Sequence, residues 1–149
     1  MIRQENKYDA LKLDNQICFP LYAASKEIVK RYKPFLDEID LTYTQYIVMM
    51  VLWEKEKIGA KELGEKLYLD SGTLTPVLKS LEQKGLLTRT RPACDERTLV
   101  AQLTEKGRQL KDQAVSIPAK MVSSCVALSA EEAANLYVIL YKILGVEKR

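Results

Sequence analysis

Apolar and polar positions along the chain fall into helical stretches, broken once by strand-like alternation. Residues 9–32 carry Leu13, Ile17, Leu21, Ile28 and Val29 at helical spacing, which predicts a first one-sided helix. The Lys33-Pro34 step is expected to end it, because the residue before a proline is pushed out of helical geometry. Pro20 lies inside the pattern and either kinks the helix or marks a local start. A short piece follows at 34–39. Residues 43–54 form the next helix, with Tyr46, Ile47, Met50, Val51 and Trp53 as a broad apolar surface and Thr42 or Thr44 as its cap. Two further helices, 60–67 and 71–84, are separated only by 68–70, and Gly85 stands where a left-handed C-cap belongs.

The period then changes. Residues 86–91 and 97–103 interleave Thr, Val and Leu with Arg and Gln, and the loop 92–96 joins them as a hairpin. Thr104 opens a long helix as its N-cap, Pro118 kinks or interrupts it, and Ser129-Ala-Glu-Glu132 is a capping box for a last helix running to about 146. The predicted class is mainly α with a small β-hairpin: a winged helix-turn-helix at about 42–103, flanked by dimerisation helices at about 8–34 and 104–149, in a single subunit spanning 1–149. The terminal helices keep apolar surface (Leu13, Ile17 and Leu21; Leu136, Ile139, Leu140 and Ile143) that a small winged lobe cannot cover, and pairing with a second copy would bury it.

Composition narrows the chemistry. The 149 residues are 47% hydrophobic and 29% charged, an ordinary globular balance, and no apolar run approaches the roughly 20 residues of a bilayer span. The polar start does not read as a secretory signal, so a cytoplasmic location is expected. A net charge of +3 permits nucleic-acid binding without arguing for it. The chain has no histidine, which removes the commonest general base and nitrogen metal ligand. Its three cysteines, Cys18, Cys94 and Cys125, are too few and too scattered for a disulfide framework or a zinc site. Neither a metal nor a cofactor is expected, and an enzyme is not.

The helix at 71–84 starts with hydroxyls. Asp70 or Ser71 can cap it, Ser71, Thr73 and Thr75 lie near its N-terminus, and Lys79 is on the polar side, while Leu74, Leu78 and Leu81 form the buried stripe. The hairpin adds Arg89, Arg91 and Arg97, with Asp95 placed to brace the Arg97 guanidinium, an arrangement suited to a narrow minor groove. Either element alone fits a solvated surface; a polar helix followed at once by an arginine wing points to double-stranded DNA as the partner.

Residues 69–76 (Leu-Asp-Ser-Gly-Thr-Leu-Thr-Pro), Arg89-x-Arg91 and Asp95-Glu96-Arg97 resemble the MarR family of bacterial repressors. Residues 15–22 (Asn-Gln-Ile-Cys-Phe-Pro-Leu-Tyr) and 41–46 (Leu-Thr-Tyr-Thr-Gln-Tyr) resemble its OhrR branch, the organic-hydroperoxide-sensing repressors. The resemblance covers nearly the whole chain. It implies a homodimer on an inverted-repeat operator, with each recognition helix in a major groove and each wing in a minor groove.

On spacing alone Cys18 reads first as a small core residue. Tyr22 lies one helical turn on, Tyr32 ends the predicted helix and Tyr43 starts the next; phenols converging on a sulfur would favour thiolate. The resemblance implies that convergence, matching Cys18 to the peroxide-reactive cysteine, Tyr32 and Tyr43 to its phenolic partners and Tyr22 to a neighbouring tyrosine. Ile17, Phe19 and Leu21, with Met49 or Met50, would favour organic hydroperoxides over hydrogen peroxide. The resemblance also implies a resolving role for Cys125 of the partner subunit, the alternative being an external thiol; Cys94, on the wing loop, is adventitious or a mixed-disulfide site. Three other readings stand beside this one: a repressor relieved by a small aromatic ligand, a broader thiol-based global or virulence regulator, and a thiol peroxidase. The last is disfavoured by the lack of His, of a Cys-x-x-Cys motif and of a βαβ pattern.

Overall fold

The computed structural model describes residues 7–95, 97–125 and 127–146, with the side chains of Ser124 and Cys125 outside that description. The chain divides into two compact units, Met1–Pro118 and Ala119–Arg149.

In the first unit, two 3-10 turns at Asp9–Leu11 and Leu13–Asn15 precede helix α1, Cys18–Asp37. The expected helix over 9–32 therefore starts later. Pro20 marks a local start: it is the third residue of α1, where a backbone N–H would have no intrahelical partner. The expected end at Pro34 does not occur, and the piece at 34–39 is not separate. Pro34 sits inside α1 and forgoes one backbone hydrogen bond. Burial of Leu36 and packing of Phe35 on the core hold the final turn in place.

Helix α2, Tyr43–Lys55, is capped by Thr42, whose hydroxyl accepts from the Gln45 N–H while the Gln45 side chain accepts from the Thr42 N–H. A three-residue strand, β1 (Lys57–Gly59), follows. Helices α3 (Ala60–Leu67) and α4 (Ser71–Gln83) then form the helix-turn-helix, joined through Tyr68 in left-handed geometry (φ 55°). After α4 the chain reverses at Gly85 (φ +74°). The Leu86 N–H donates to the Leu81 carbonyl at 3.0 Å and the Gly85 N–H to that of Glu82 at 2.8 Å, a Schellman closure.

Strands β2 (Leu87–Thr90) and β3 (Val100–Leu103) complete an antiparallel sheet of order β1-β3-β2, with Arg89 opposite Ala101 and Ile58 opposite the same residue on the other side. Both wing strands are shorter than expected, so Arg91 and Arg97 lie in the loop, not on strands. Pro92 cannot donate to a ladder, and the Asp95 carboxylate takes the Arg97 N–H and the Thr98 hydroxyl, which offers the backbone a turn instead. The strand β1 escaped sequence detection because three residues including a glycine carry no alternation.

Thr104 caps α5 (Glu105–Ala114) by accepting from the Gly107 N–H, and α6 (Ile117–Cys125) follows, with Pro118 as its second residue at the interruption. The core of the first unit joins Leu36, Val48, Met49, Leu52, Leu63, Leu74, Leu78, Leu81, Leu87, Ala101 and Leu103. Trp53 lies at its edge and donates its indole N–H to the Gly107 carbonyl at 2.8 Å, fastening α2 to the start of α5. One buried polar side chain, Gln45, is satisfied by donating to the Ser80 hydroxyl of α4 at 3.0 Å.

The second unit carries α7, Ala130–Ile143, opened by the Ser129/Glu132 capping box. It ends three residues short of the expected 146 because Gly145 (φ +74°) turns the chain, with the Val146 N–H on the Tyr141 carbonyl. Leu136, Ile139 and Ile143 of α7 are exposed, as are Leu13, Ile17 and Leu21 at the other end of the chain. Among the described residues no helix is long and apolar enough to cross a membrane.

Candidate DNA-reading face and redox thiol

The polar face of α4 is built by its cap and its stripe. Asp70 accepts from the Thr73 N–H at 2.8 Å, which starts the helix, and burial of Leu74, Leu78 and Leu81 turns the opposite side outward. Ser71, Thr73, Thr75 and Lys79 all lie on that outward side and are exposed. Arg91 and Arg97 are exposed in the wing loop. Asp95 organises that loop through backbone and hydroxyl donors, so its bond to Arg97 is to the Arg97 N–H at 3.1 Å and not to the guanidinium that it was expected to brace. Those donors, the Thr98 hydroxyl first, hold the Asp95 carboxyl below its ordinary range.

Arg89 differs from the other two arginines. Along β2, Leu87 is buried, Thr88 and Thr90 are exposed, and Arg89 is half-buried on the side of Leu87. Its Nε and Nη2 donate to Glu82 Oε2 of α4 at 2.9 and 2.8 Å, and its backbone N–H donates to Glu82 Oε1 at 2.8 Å. Those bonds, the guanidinium's first, hold the Glu82 carboxyl below the usual carboxylate range. Glu82 was missed in the sequence. The signal was there: Gly85 reverses the chain midway between 82 and 89, and strand parity puts Arg89 on the Leu87 face.

Cys18 is exposed as the first residue of α1. Its neighbours in sequence are apolar and exposed in the single chain, Ile17 85%, Phe19 44% and Leu21 40%. Met50 is exposed as well, whereas Met49 is sealed in the core and is no lining residue. The expected convergence of tyrosines on this sulfur does not occur within one chain. Tyr22 instead receives a hydrogen bond from Lys26 Nζ at 3.3 Å, with the ammonium 5.1 Å from its ring centroid. Tyr32 stands 14 residues along the same unbroken helix, about 21 Å of rise from Cys18. Its ring packs 5.0 Å from that of Tyr43, and both lean on the core beside Tyr46. Burial pushes the Tyr43 phenol up, so it remains a protonated donor at neutral pH. Cys94 is exposed in the wing loop; Cys125 closes α6, and its side chain lies outside the described residues.

A helix-turn-helix with an exposed hydroxyl-rich second helix, followed by an arginine-bearing antiparallel wing, defines a winged-helix DNA-binding protein. The model of the family described as transcriptional regulator SarA/Rot matches residues 30–114. An organic hydroperoxide resistance transcriptional regulator of Bacillus subtilis is 50% identical over 140 residues, covering 94% of this chain and 95% of that one. Reduced AbfR bound to DNA, from Staphylococcus epidermidis, superposes with a TM-score of 0.78 at 32% identity over 94% of this chain and 95% of the other. A disulfide-formed AbfR superposes at 0.63 with 35% identity, over 93% and 96%. The chain belongs to the MarR family of transcriptional regulators, in its organic hydroperoxide resistance branch. Its relatives are DNA-binding regulators and not enzymes.

Proposed function

We propose that this chain is a redox-controlled repressor, working in the cytoplasm as a homodimer, with Cys18 as the trigger and an organic hydroperoxide as the oxidant. The observation that carries the reading is the setting of Cys18, a thiol exposed on the first residue of α1 between the apolar Ile17 and Phe19, in a chain that also presents a DNA-reading face on α4 and the wing loop. The apolar neighbours of Cys18, Ile17 and Phe19, favour an alkyl peroxide over hydrogen peroxide. The Cys18 thiolate attacks the peroxide, the O–O bond breaks, an alcohol leaves and the sulfur becomes a sulfenic acid. A second thiol then condenses with it, forming a disulfide and releasing water. That AbfR has been seen both reduced on DNA and in a disulfide form supports the same cycle here.

The dimer follows from the exposed apolar faces and gives the tyrosines a role. Some 21 Å of helix separates Tyr32 from the Cys18 of its own chain, so Tyr32 and Tyr43 support the sulfur of the partner subunit. Cys125 of the partner subunit is the proposed resolving thiol, with an external thiol as the competitor. Non-reducing electrophoresis separates them: an intersubunit band requiring both Cys18 and Cys125 fits the first, and a band-free protein that gains the mass of a small thiol fits the second.

The reading as a whole is tested on a DNA duplex selected by the reduced protein from a randomised library. Binding should be lost on treatment with cumene hydroperoxide and return with dithiothreitol; binding that ignores both reagents would overturn it. On the same duplex, Arg97→Ala should weaken binding by at least about tenfold and flatten the salt dependence by about one unit per wing. An unaltered affinity and slope would remove Arg97 from the interface.

A further inference from the structure

We propose that Glu82 is a positioning residue for DNA recognition: it anchors the root of the wing to the recognition helix through Arg89, and Arg89 is therefore a strut and not a phosphate contact. The inference rests on the DNA-binding reading above and deepens it.

Three donors of Arg89 converge on one carboxylate. Nε and Nη2 take Oε2 at 2.9 and 2.8 Å, and the backbone N–H takes Oε1 at 2.8 Å, so both carboxylate oxygens are engaged. The side chains are only 23% and 34% exposed. A planar guanidinium held at two nitrogens has a defined orientation that a point charge lacks. The guanidinium is aimed at α4 because strand parity sends position 89 to the Leu87 side.

The pair joins the two elements that must enter neighbouring grooves together. Glu82 lies in the last turn of α4, whose N-terminal half presents Ser71, Thr73 and Thr75, and Arg89 lies on β2, which leads into the loop carrying Arg91 and Arg97. Between them the chain has the turn at Gly85, and burial of Leu86 and Leu87 together with β3–β1 pairing seats the base of the sheet on its core side, so the Glu82–Arg89 pair adds a polar clamp at the point where β2 leaves for the wing loop. The clamp fixes the direction in which β2 leaves α4, so less orientational freedom of the wing is lost when both elements bind.

The opposite view makes a prediction of opposite sign. If Arg89 contacted phosphate, Glu82 would be a competing anion close to DNA, and Glu82→Gln would release the arginine and tighten binding. On the strut view Glu82→Gln weakens binding, although it makes the protein more basic. We expect a loss of about tenfold for Glu82→Gln, a similar loss for Arg89→Gln, and no further loss in the double variant, because both substitutions remove one interaction. Hydroxyl-radical footprints on the selected duplex should lose minor-groove protection, while methylation protection of guanine N7 in the major groove persists.

Melting temperatures of the unbound variants, taken alongside, separate positioning from simple stability. Tighter binding by Glu82→Gln, additive losses in the double variant, or a lowered melting temperature with unchanged affinity and footprint would each overturn the proposal. If the wild-type protein selects no duplex at all, the DNA-binding reading itself falls, an outcome distinct from variants that match a binding wild type.

Discussion

Cys18→Ser protein should bind its DNA duplex as tightly as the reduced wild type and stay bound at hydroperoxide concentrations that strip the wild type from DNA. The substitution exchanges sulfur for oxygen at an exposed position on the first residue of α1, so neither the core nor the DNA-reading face changes. A serine hydroxyl is not oxidised by peroxide, so the switch loses its chemistry and keeps its architecture. Release of a 99:1 bound population to 1:99 needs a differential of about 5.5 kcal/mol between the two protein states; the whole of that differential is assigned to oxidation at this sulfur. Gel shifts across a peroxide titration measure it. A Cys18→Ser protein that still leaves DNA with a wild-type dose response would move the trigger to another residue.

Gly107→Ala should lower the stability of the fold by about 3 kcal/mol, a drop of roughly 10 °C in melting temperature for a chain of this length. By helix propensity alone the change would favour the protein, since alanine is better than glycine inside α5 by about 1 kcal/mol. Packing reverses the sign. A Cβ on Gly107 would stand 2.1 Å from the Leu86 carbonyl oxygen, 3.0 Å from its carbon and 2.8 Å from Leu103 Cδ1. The first two are backbone and cannot swing aside. The displaced turn also carries the carbonyl that accepts the Trp53 indole and the N–H that meets the Thr104 cap. Thermal unfolding followed by circular dichroism reads the effect; an alanine variant as stable as the parent would show that the close approach does not exist.

The helix-turn-helix was legible in the sequence because its signals are local. Bounds of 60–67, the Asp70 cap, the buried Leu74-Leu78-Leu81 stripe and the Gly85 turn all follow from residues within a turn of one another. The Ser129/Glu132 capping box and the Thr104 cap were legible for the same reason, while for α2 the sequence offered Thr42 or Thr44 and the structure uses Thr42, with Gln45 completing a box that was not expected. Reading failed where tertiary packing overrode a local rule. Pro34 should end a helix, yet Leu36 and Phe35 find the core just beyond it and α1 runs on to Asp37. The distance between Cys18 and Tyr32 did not depend on that end: both fall on the helix expected over 9–32, 14 residues and about 21 Å of rise apart, and only that spacing had to be converted into a length. The Glu82 partner of Arg89 was overlooked for a different reason: residue type grouped Arg89 with the other wing arginines, while strand parity, which points it at α4, was left unused.

The chain's single tryptophan, Trp53, gives the molecule a built-in optical reporter. Its ring lies 6.2 Å from that of Tyr46, which stands 5.9 Å from Tyr32 and 6.5 Å from Tyr43. Light absorbed by these phenols passes to the indole, so emission excited at tyrosine wavelengths reports on the spacing between the α1–α2 tyrosines and the α2–α5 junction. No label has to be attached, and no cysteine has to be consumed in attaching one.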